Sequence, residues 1–319
     1  VGRQTLDLTG ISALPSLRPR PGAAERRRRL ETSLVALEAR FGLERLGDDP
    51  LLFPRRYADP ADREVVALVA ALFAYGRVGR IRESLEGILA IVGPSPARTL
   101  AATSDPAHWL PSLNGWRHRF NDGRDVASLL HAIGTTLRAE GSLEELFLAG
   151  DDSASPDLLP PLGRFAATLR SRGAPAGPGP GWPFLVSDPT LGGASKRWNL
   201  FLRWVVRRGP IDLDLWHRVS TARLTLPLDA HVGRISRLLG LTRRRSTDWK
   251  AAREATDALA RIDPADPIRF DFAICRLGIL AICQARPRPE LCALCELADC
   301  CPVPRRATPE LRSRRTSRP

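Results

Sequence analysis

The sequence predicts an all-α protein, and three observations carry that prediction. Apolar residues recur at helical spacing, so that Leu30, Leu34, Leu37 and Phe41 share one face of a helix over residues 25–41. A longer run over residues 65–92 keeps the same period, with breaks near Gly76 and Gly79. Stretches of alternating apolar and polar residues, the mark of a half-buried strand, are scarce.

The elements follow in order. A turn-rich link over 54–62 ends at Asp62, the expected N-cap of the long apolar run. Shorter helices are expected over 97–102, 107–113, 126–138, 143–148 and 158–170. Residues 171–181 are rich in Gly and Pro and read as a flexible loop. Further helices are expected over 196–206, 213–219, 230–239, 247–262 and 267–282. No internal repeat is visible. The 319 residues suffice for one large domain or two lobes. The expected organisation is a loose tail over 1–23, a two-lobed helical domain over 24–301 and a basic tail over 302–319.

Hydrophobic residues make up 43% of the chain, too many for a disordered polymer. The formal net charge is +13 and the isoelectric point about 10.8, which favours a polyanionic partner. Part of that charge sits in two runs, over residues 26–29 and 305–318. Lys196 and Lys250 are the only lysines, and arginine supplies every other basic side chain. In such a chain a lysine marks a place where arginine will not serve, because arginine cannot act as an amine nucleophile. Lys250 reads as a plain helix-surface residue. No segment has 18 uninterrupted apolar residues, which excludes a helical membrane span. The N-terminus carries no apolar signal core. A monomer in the cytoplasm, close to the nucleoid, is the expected setting.

All six cysteines fall between Cys275 and Cys301. Cys283, Cys292, Cys295 and Cys301 follow the spacing C-x8-C-x2-C-x5-C, with Cys300 as an alternative last member. Four thiolates on a short, Pro-stiffened loop suit zinc or a cubane iron–sulfur cluster, and spacing alone leaves the two open. Cys275 lies within the preceding helical segment and reads as a core thiol.

The cysteine segment resembles the C-terminal loop of the helix-hairpin-helix DNA glycosylases related to endonuclease III, although the first gap here is eight residues and that family usually has six. Two further segments carry the resemblance. Leu228-Asp229-Ala230-His231-Val232 is similar to the family's Val-Asp-Thr-His-Val stretch, whose Asp is catalytic. Leu191-Gly192-Gly193-Ala194-Ser195-Lys196 is the nearest match to its Leu-Pro-Gly-Val-Gly-x-Lys hairpin, with no Pro and one residue fewer. Cys283 follows Asp229 by 54 positions, and Asp229 follows Lys196 by 33, a longer separation than most of the superfamily has.

The resemblance implies a two-lobed helix-hairpin-helix glycosylase-like fold closed by a four-cysteine cluster loop. It implies a [4Fe-4S] cluster, with zinc as the alternative, held by Cys283, Cys292, Cys295 and Cys301. It implies double-stranded, damaged DNA as the partner. Gly192, Gly193, Ser195, Arg197, Arg286 and Arg288 would meet the DNA, while Lys196 and Asp229 would be catalytic. The pair makes chemical sense. An ionised carboxylate beside C1′ offsets the positive charge that grows as an N-glycosidic bond breaks. A neutral amine then attacks C1′ and forms a Schiff base, for which burial or nearby Arg charge should lower the lysine pKa. The break after Tyr75 resembles the place where the family keeps residues that fill the vacated stack, with Arg77 and Arg80 expected near DNA, and Trp116, Arg119, Phe120 and Asn121 form an aromatic–basic cluster suited to lining a base pocket. Two rivals stay open: a non-catalytic nucleic-acid binder on the same fold, and a zinc-stabilised helical interaction module.

Overall fold

The computed structural model describes residues 22–47, 49–286 and 288–302. Most of the expected N-terminal tail, the second arginine run and Pro287 lie outside the described residues. The fold is mainly helical, and its only sheet among the described residues is one short hairpin.

The N-terminal half holds α1 (Ala23–Arg40), α2 (Pro60–Leu72), α3 (Val78–Val92) and α4 (Pro96–Ala102). A hairpin of β1 (Arg117–His118) and β2 (Asn121–Asp122) follows, then α5 (Gly123–Glu140), α6 (Leu143–Leu148) and α7 (Leu159–Gly173). The C-terminal half holds α8 (Trp182–Leu185), α9 (Lys196–Val206), α10 (Ala230–Leu238), α11 (Trp249–Ala260), α12 (Asp271–Ile279) and α13 (Pro289–Cys292).

Sequence periodicity located most of these helices, and the exceptions have local causes. The N-cap of α2 is Asp59, whose carboxylate accepts from the Ala61 amide at 2.9 Å, with Pro60 pre-set at the first helical position. Asp62 sits inside that first turn and accepts from the Ala97 amide at 2.7 Å, fastening the start of α4. Residues 213–219 are not helical. Their amides at Leu213, Leu215 and Trp216 bond to the Trp204 and Val205 carbonyls at the end of α9. Those long-range bonds satisfy the same donors that a local helix would have used. Residues 107–113 form turns rather than a helix, with Trp109 buried beneath them. The stretch over 171–181 is packed. Helix α7 runs to Gly173, and a side chain at Gly181 would meet Asn121, Asp125 and the Phe120 carbonyl within 2.5 Å.

Buried side chains from both halves form one connected core. Helix α2 is buried almost all round and packs on α9, while α1 packs on α12. An aromatic cluster fills the junction, with Phe201 and Phe147 each 5.3 Å from the Trp216 ring. Glu64 of α2 is 5% exposed and ties three segments together. It accepts from the Leu143 amide at 3.0 Å, the Glu144 amide at 2.9 Å and the Trp216 indole at 2.7 Å. Burial still pushes its carboxyl above the ordinary value. Glu64→Ala would leave three buried donors unpaired and is expected to cost on the order of 3–5 kcal/mol in urea unfolding. Glu64→Gln keeps an acceptor and should cost less than the alanine variant in the same titration.

Candidate active site

Asp229 precedes α10 with an extended backbone and caps it. Its Oδ1 accepts from the His231 and Val232 amides, both at 2.9 Å. That leaves Oδ2 to face outward, where it meets Lys196 Nζ at 3.3 Å. Lys196 opens α9, so the carboxylate and the amine are each delivered by the first turn of a helix. The two residues that sequence reasoning paired are therefore in contact across 33 positions of chain.

The pair lines a cleft of about 450 Å³. Tyr75, Arg77 and Ile81 form one wall, while Leu200 and Trp204 of α9 and Phe272 and Ile279 of α12 contribute apolar surface. The Lys196 and Asp229 side chains keep 33% and 20% of their surface exposed. Helix α10 can approach α12 closely because Gly278 lacks a side chain, since a Cβ there would meet His231 Cβ at 2.5 Å. His231 itself lines the cleft.

Electrostatics here differ from the sequence expectation. Burial pulls the Lys196 ammonium down, but the Asp229 carboxylate, helped by Asp271, outweighs burial and holds it above its ordinary value. The amine is therefore charged at rest, whereas a lowered pKa had been expected.

The cleft floor holds residues that no motif pointed to. Asp271 is 2% exposed and accepts from Arg203 Nη1 at 2.7 Å through Oδ2. Its Oδ1 has no hydrogen-bond partner among the described residues. Burial, opposed by Arg203, pushes the Asp271 carboxyl up to about 6. Arg203 also meets Asp212 at 3.1 Å, and Arg276 pairs with Asp49 at 2.7 Å. Cys275, expected as an ordinary core thiol, lines the same cleft. Burial first, then Asp229 and Asp271, push its thiol up to about 12, so it is protonated. The only sequence signal for this floor was an acidic residue beside a phenylalanine at the start of an apolar helix.

The hairpin candidates separate into two groups. Gly192, with φ of +84°, and Gly193 have open space where a side chain would stand. Ser195 adopts φ of +49° and makes no side-chain cap on α9, so its hydroxyl satisfies none of the first amides of that helix. Leu191 beside them is 83% exposed. Arg197 is turned inward. Its guanidinium donates to the Leu72 carbonyl at 2.8 Å, the Leu185 carbonyl at 3.1 Å and the Phe184 carbonyl, and it lies over the Phe184 and Tyr75 rings. Its donors are committed to backbone, so its geometry is that of an internal strap. Arg286 and Arg288 are exposed.

Cys283, Cys292, Cys295 and Cys301 line one small cavity of about 50 Å³. Its other walls are mostly apolar and include Ile235 and Leu238 of α10, Leu239 just after it, and Leu277 of α12. Burial, then the neighbouring Cys301 and Cys283 sulfurs, raise the Cys292 thiol. Cys295 is raised by burial and in smaller part by the same neighbours. Cys300 faces elsewhere, with its Sγ 3.6 Å from Ser33 Oγ of α1. Among the described residues, no three His, Cys, Asp or Glu side chains are arranged so that they could hold a metal ion.

No curated protein and no solved structure matches the chain. The family described as Protein of unknown function (DUF2400) matches residues 49–280, ending just before Cys283. That stretch covers most of the chain and contains Lys196, Asp229 and every helix that shapes the cleft, and the chain belongs to the DUF2400 family.

Proposed function

We propose that this protein is a DNA base-excision glycosylase of helix-hairpin-helix type, with lyase activity through Lys196. One observation carries the reading: an amine and a carboxylate 3.3 Å apart, each at a helix start, in a cleft large enough to take an extruded base. The glycine turn over 192–195 supports it, because an uncapped helix start behind two open glycines suits a backbone phosphate. The excess of arginine supplies the field that draws in a polyanion.

The raised Lys196 pKa sets the order of proton movements. The ammonium gives its proton to the leaving base as the N-glycosidic bond breaks and the bonding pair departs with the base. Asp229 Oδ2 stabilises the cationic sugar at C1′. The same step leaves Lys196 neutral, and its lone pair then adds to C1′. The ammonium so formed at C1′ passes a proton, by way of Asp229, to the ring oxygen as the C1′–O4′ bond breaks to the Schiff base, and loss of a C2′ proton then expels the 3′ phosphate and breaks the strand. A single lysine thus serves as acid and then as nucleophile.

The cysteine loop is read as a [4Fe-4S] site held by Cys283, Cys292, Cys295 and Cys301. The support for a shared cofactor is that these four cysteines line one mostly apolar cavity, and zinc is the alternative occupant. The bound group would be structural and would brace the loop that carries Arg286 and Arg288 toward DNA.

Borohydride trapping on a duplex with a preformed abasic site tests the reading. The wild-type chain is expected to cross-link, and Lys196→Ala is expected to lose the cross-link entirely while still binding the duplex. Absence of wild-type trapping, together with no excision across a panel of single-lesion duplexes, would overturn the proposal.

A further inference from the structure

We infer that the tip of the β1–β2 hairpin, Arg119–Phe120, is the wedge that enters the base stack when this protein binds duplex DNA. The inference rests on the glycosylase reading and adds to it the group that holds the opened duplex.

The hairpin is an unusual object on this surface. Its turn places Arg119 at φ of +53°, a left-handed conformation that an arginine adopts only under constraint. The turn presents Phe120, which is 59% exposed. Among the described residues it is one of only two exposed Phe, Tyr or Trp rings, and the other, Phe184 at 39%, packs against it at 5.2 Å. The Arg119 guanidinium covers the Phe120 ring at 5.3 Å.

The tip is firmly backed, as a wedge must be to displace stacked bases. Phe184 meets Tyr75 at 4.9 Å, and the Arg197 guanidinium clamps both rings. At the hairpin base, Tyr75 donates to Asn121 Oδ1, and Asn121 donates to Asp125 at 2.8 Å. His118 is buried between Ser84 Oγ at 2.7 Å and the Tyr75 carbonyl at 2.9 Å. These bonds commit the Tyr75 hydroxyl and leave its ring half-buried, so Tyr75 is the support and Phe120 the free edge.

Position and charge point to the same partner. Tyr75 lines the cleft that holds Lys196 and Asp229, and Phe120 stands two ring contacts beyond it. A base extruded into the cleft leaves its gap next to the cleft mouth, within reach of such a ring. Exposed Arg80 and Arg117 line one pocket with Arg119 of the tip, exposed Arg77 lines the neighbouring cleft, and of these four only Arg80 forms an ion pair among the described residues. Apolar wedges flanked by phosphate-binding arginines are a general device for opening a duplex step.

The test compares binding of the full chain to two duplexes, one intact and one carrying a tetrahydrofuran abasic analogue opposite 2-aminopurine. The wild type should prefer the tetrahydrofuran duplex and change the 2-aminopurine fluorescence as the neighbouring stack is occupied. Phe120→Ala should lose about 10-fold in affinity for that duplex and lose the fluorescence change, with affinity for the intact duplex kept. Phe120→Trp should retain both properties. A wild type that discriminates, with Phe120→Ala unchanged, overturns the wedge and leaves the glycosylase reading standing. A wild type with no preference removes that reading and the wedge with it. Because Phe120 is exposed, thermal unfolding of the variants should match the wild type.

Discussion

Asp229→Asn is expected to abolish base excision while shifting trapping of a ready-made abasic site toward lower pH. The two halves of that result have separate causes. Excision needs a negative charge beside C1′, and loss of one such preorganised group costs about 10²–10³-fold in rate. Trapping needs only a neutral Lys196. In the wild type the Asp229 carboxylate overcomes burial and holds the ammonium above its ordinary value, so neutral amine becomes abundant only at alkaline pH. Without that charge, burial acts with less opposition and the lysine pKa falls. The fraction of neutral amine at a given pH then rises, and the trapping profile moves in the acid direction. Asparagine caps a helix as well as aspartate does, so the His231 and Val232 amides keep their acceptor and α10 should stay folded. A profile that does not move, or one that moves toward alkali, would remove Asp229 as the controlling charge.

This control over the lysine could not be read from the sequence. The residue types at 196 and 229 were legible, because lysine is almost absent from the chain and Asp229 stands where an amphipathic helix begins. Their contact was legible only through the family resemblance. The sign of the pKa shift was not, because it depends on a 3.3 Å separation and on Asp271, which reaches the cleft from another helix. Periodicity reveals which face of α12 is apolar, but not that Asp271 on it would be buried against Arg203.

Helical segments were legible wherever the apolar stripe was long, as in α5, α9 and α11. Failures came where tertiary hydrogen bonds replaced local ones. Residues 213–219 have helix-like spacing, yet their amides go to the end of α9. The hairpin at 117–122 is too short to show alternation, with two residues in each strand. Its anchors, His118 and Asn121, are polar residues that sequence rules place outside, and both are almost fully buried. Arg197 misled for a related reason: a basic residue beside a glycine turn looks like a phosphate contact until three carbonyls are found to use its donors.

Within the cysteine loop, serine variants of Cys292 and Cys301 are expected to lose bound iron, and Cys300→Ser is expected to keep it. The contrast between neighbours is the strong part of the prediction. Cys301 lines the shared cavity with Cys283, Cys292 and Cys295, while Cys300 points to Ser33 of α1. Loss of one of these thiols should also reach the Lys196–Asp229 pair, because α10 joins the two places. Asp229 caps its first turn, and Ile235 and Leu238 further along it, with Leu239 just after it, form the cavity wall. Arg234 of the same helix donates to the Cys283 carbonyl. A collapsed loop would therefore loosen the helix that aims Oδ2 at Lys196, and excision should fall together with the thermal midpoint. Iron and acid-labile sulfide assays on the purified full chain, followed by unfolding, check this. Zinc in place of iron would replace the cluster with a single-ion site. Iron retained by Cys301→Ser but lost from Cys300→Ser would mean that the loop folds in a different register around its cofactor.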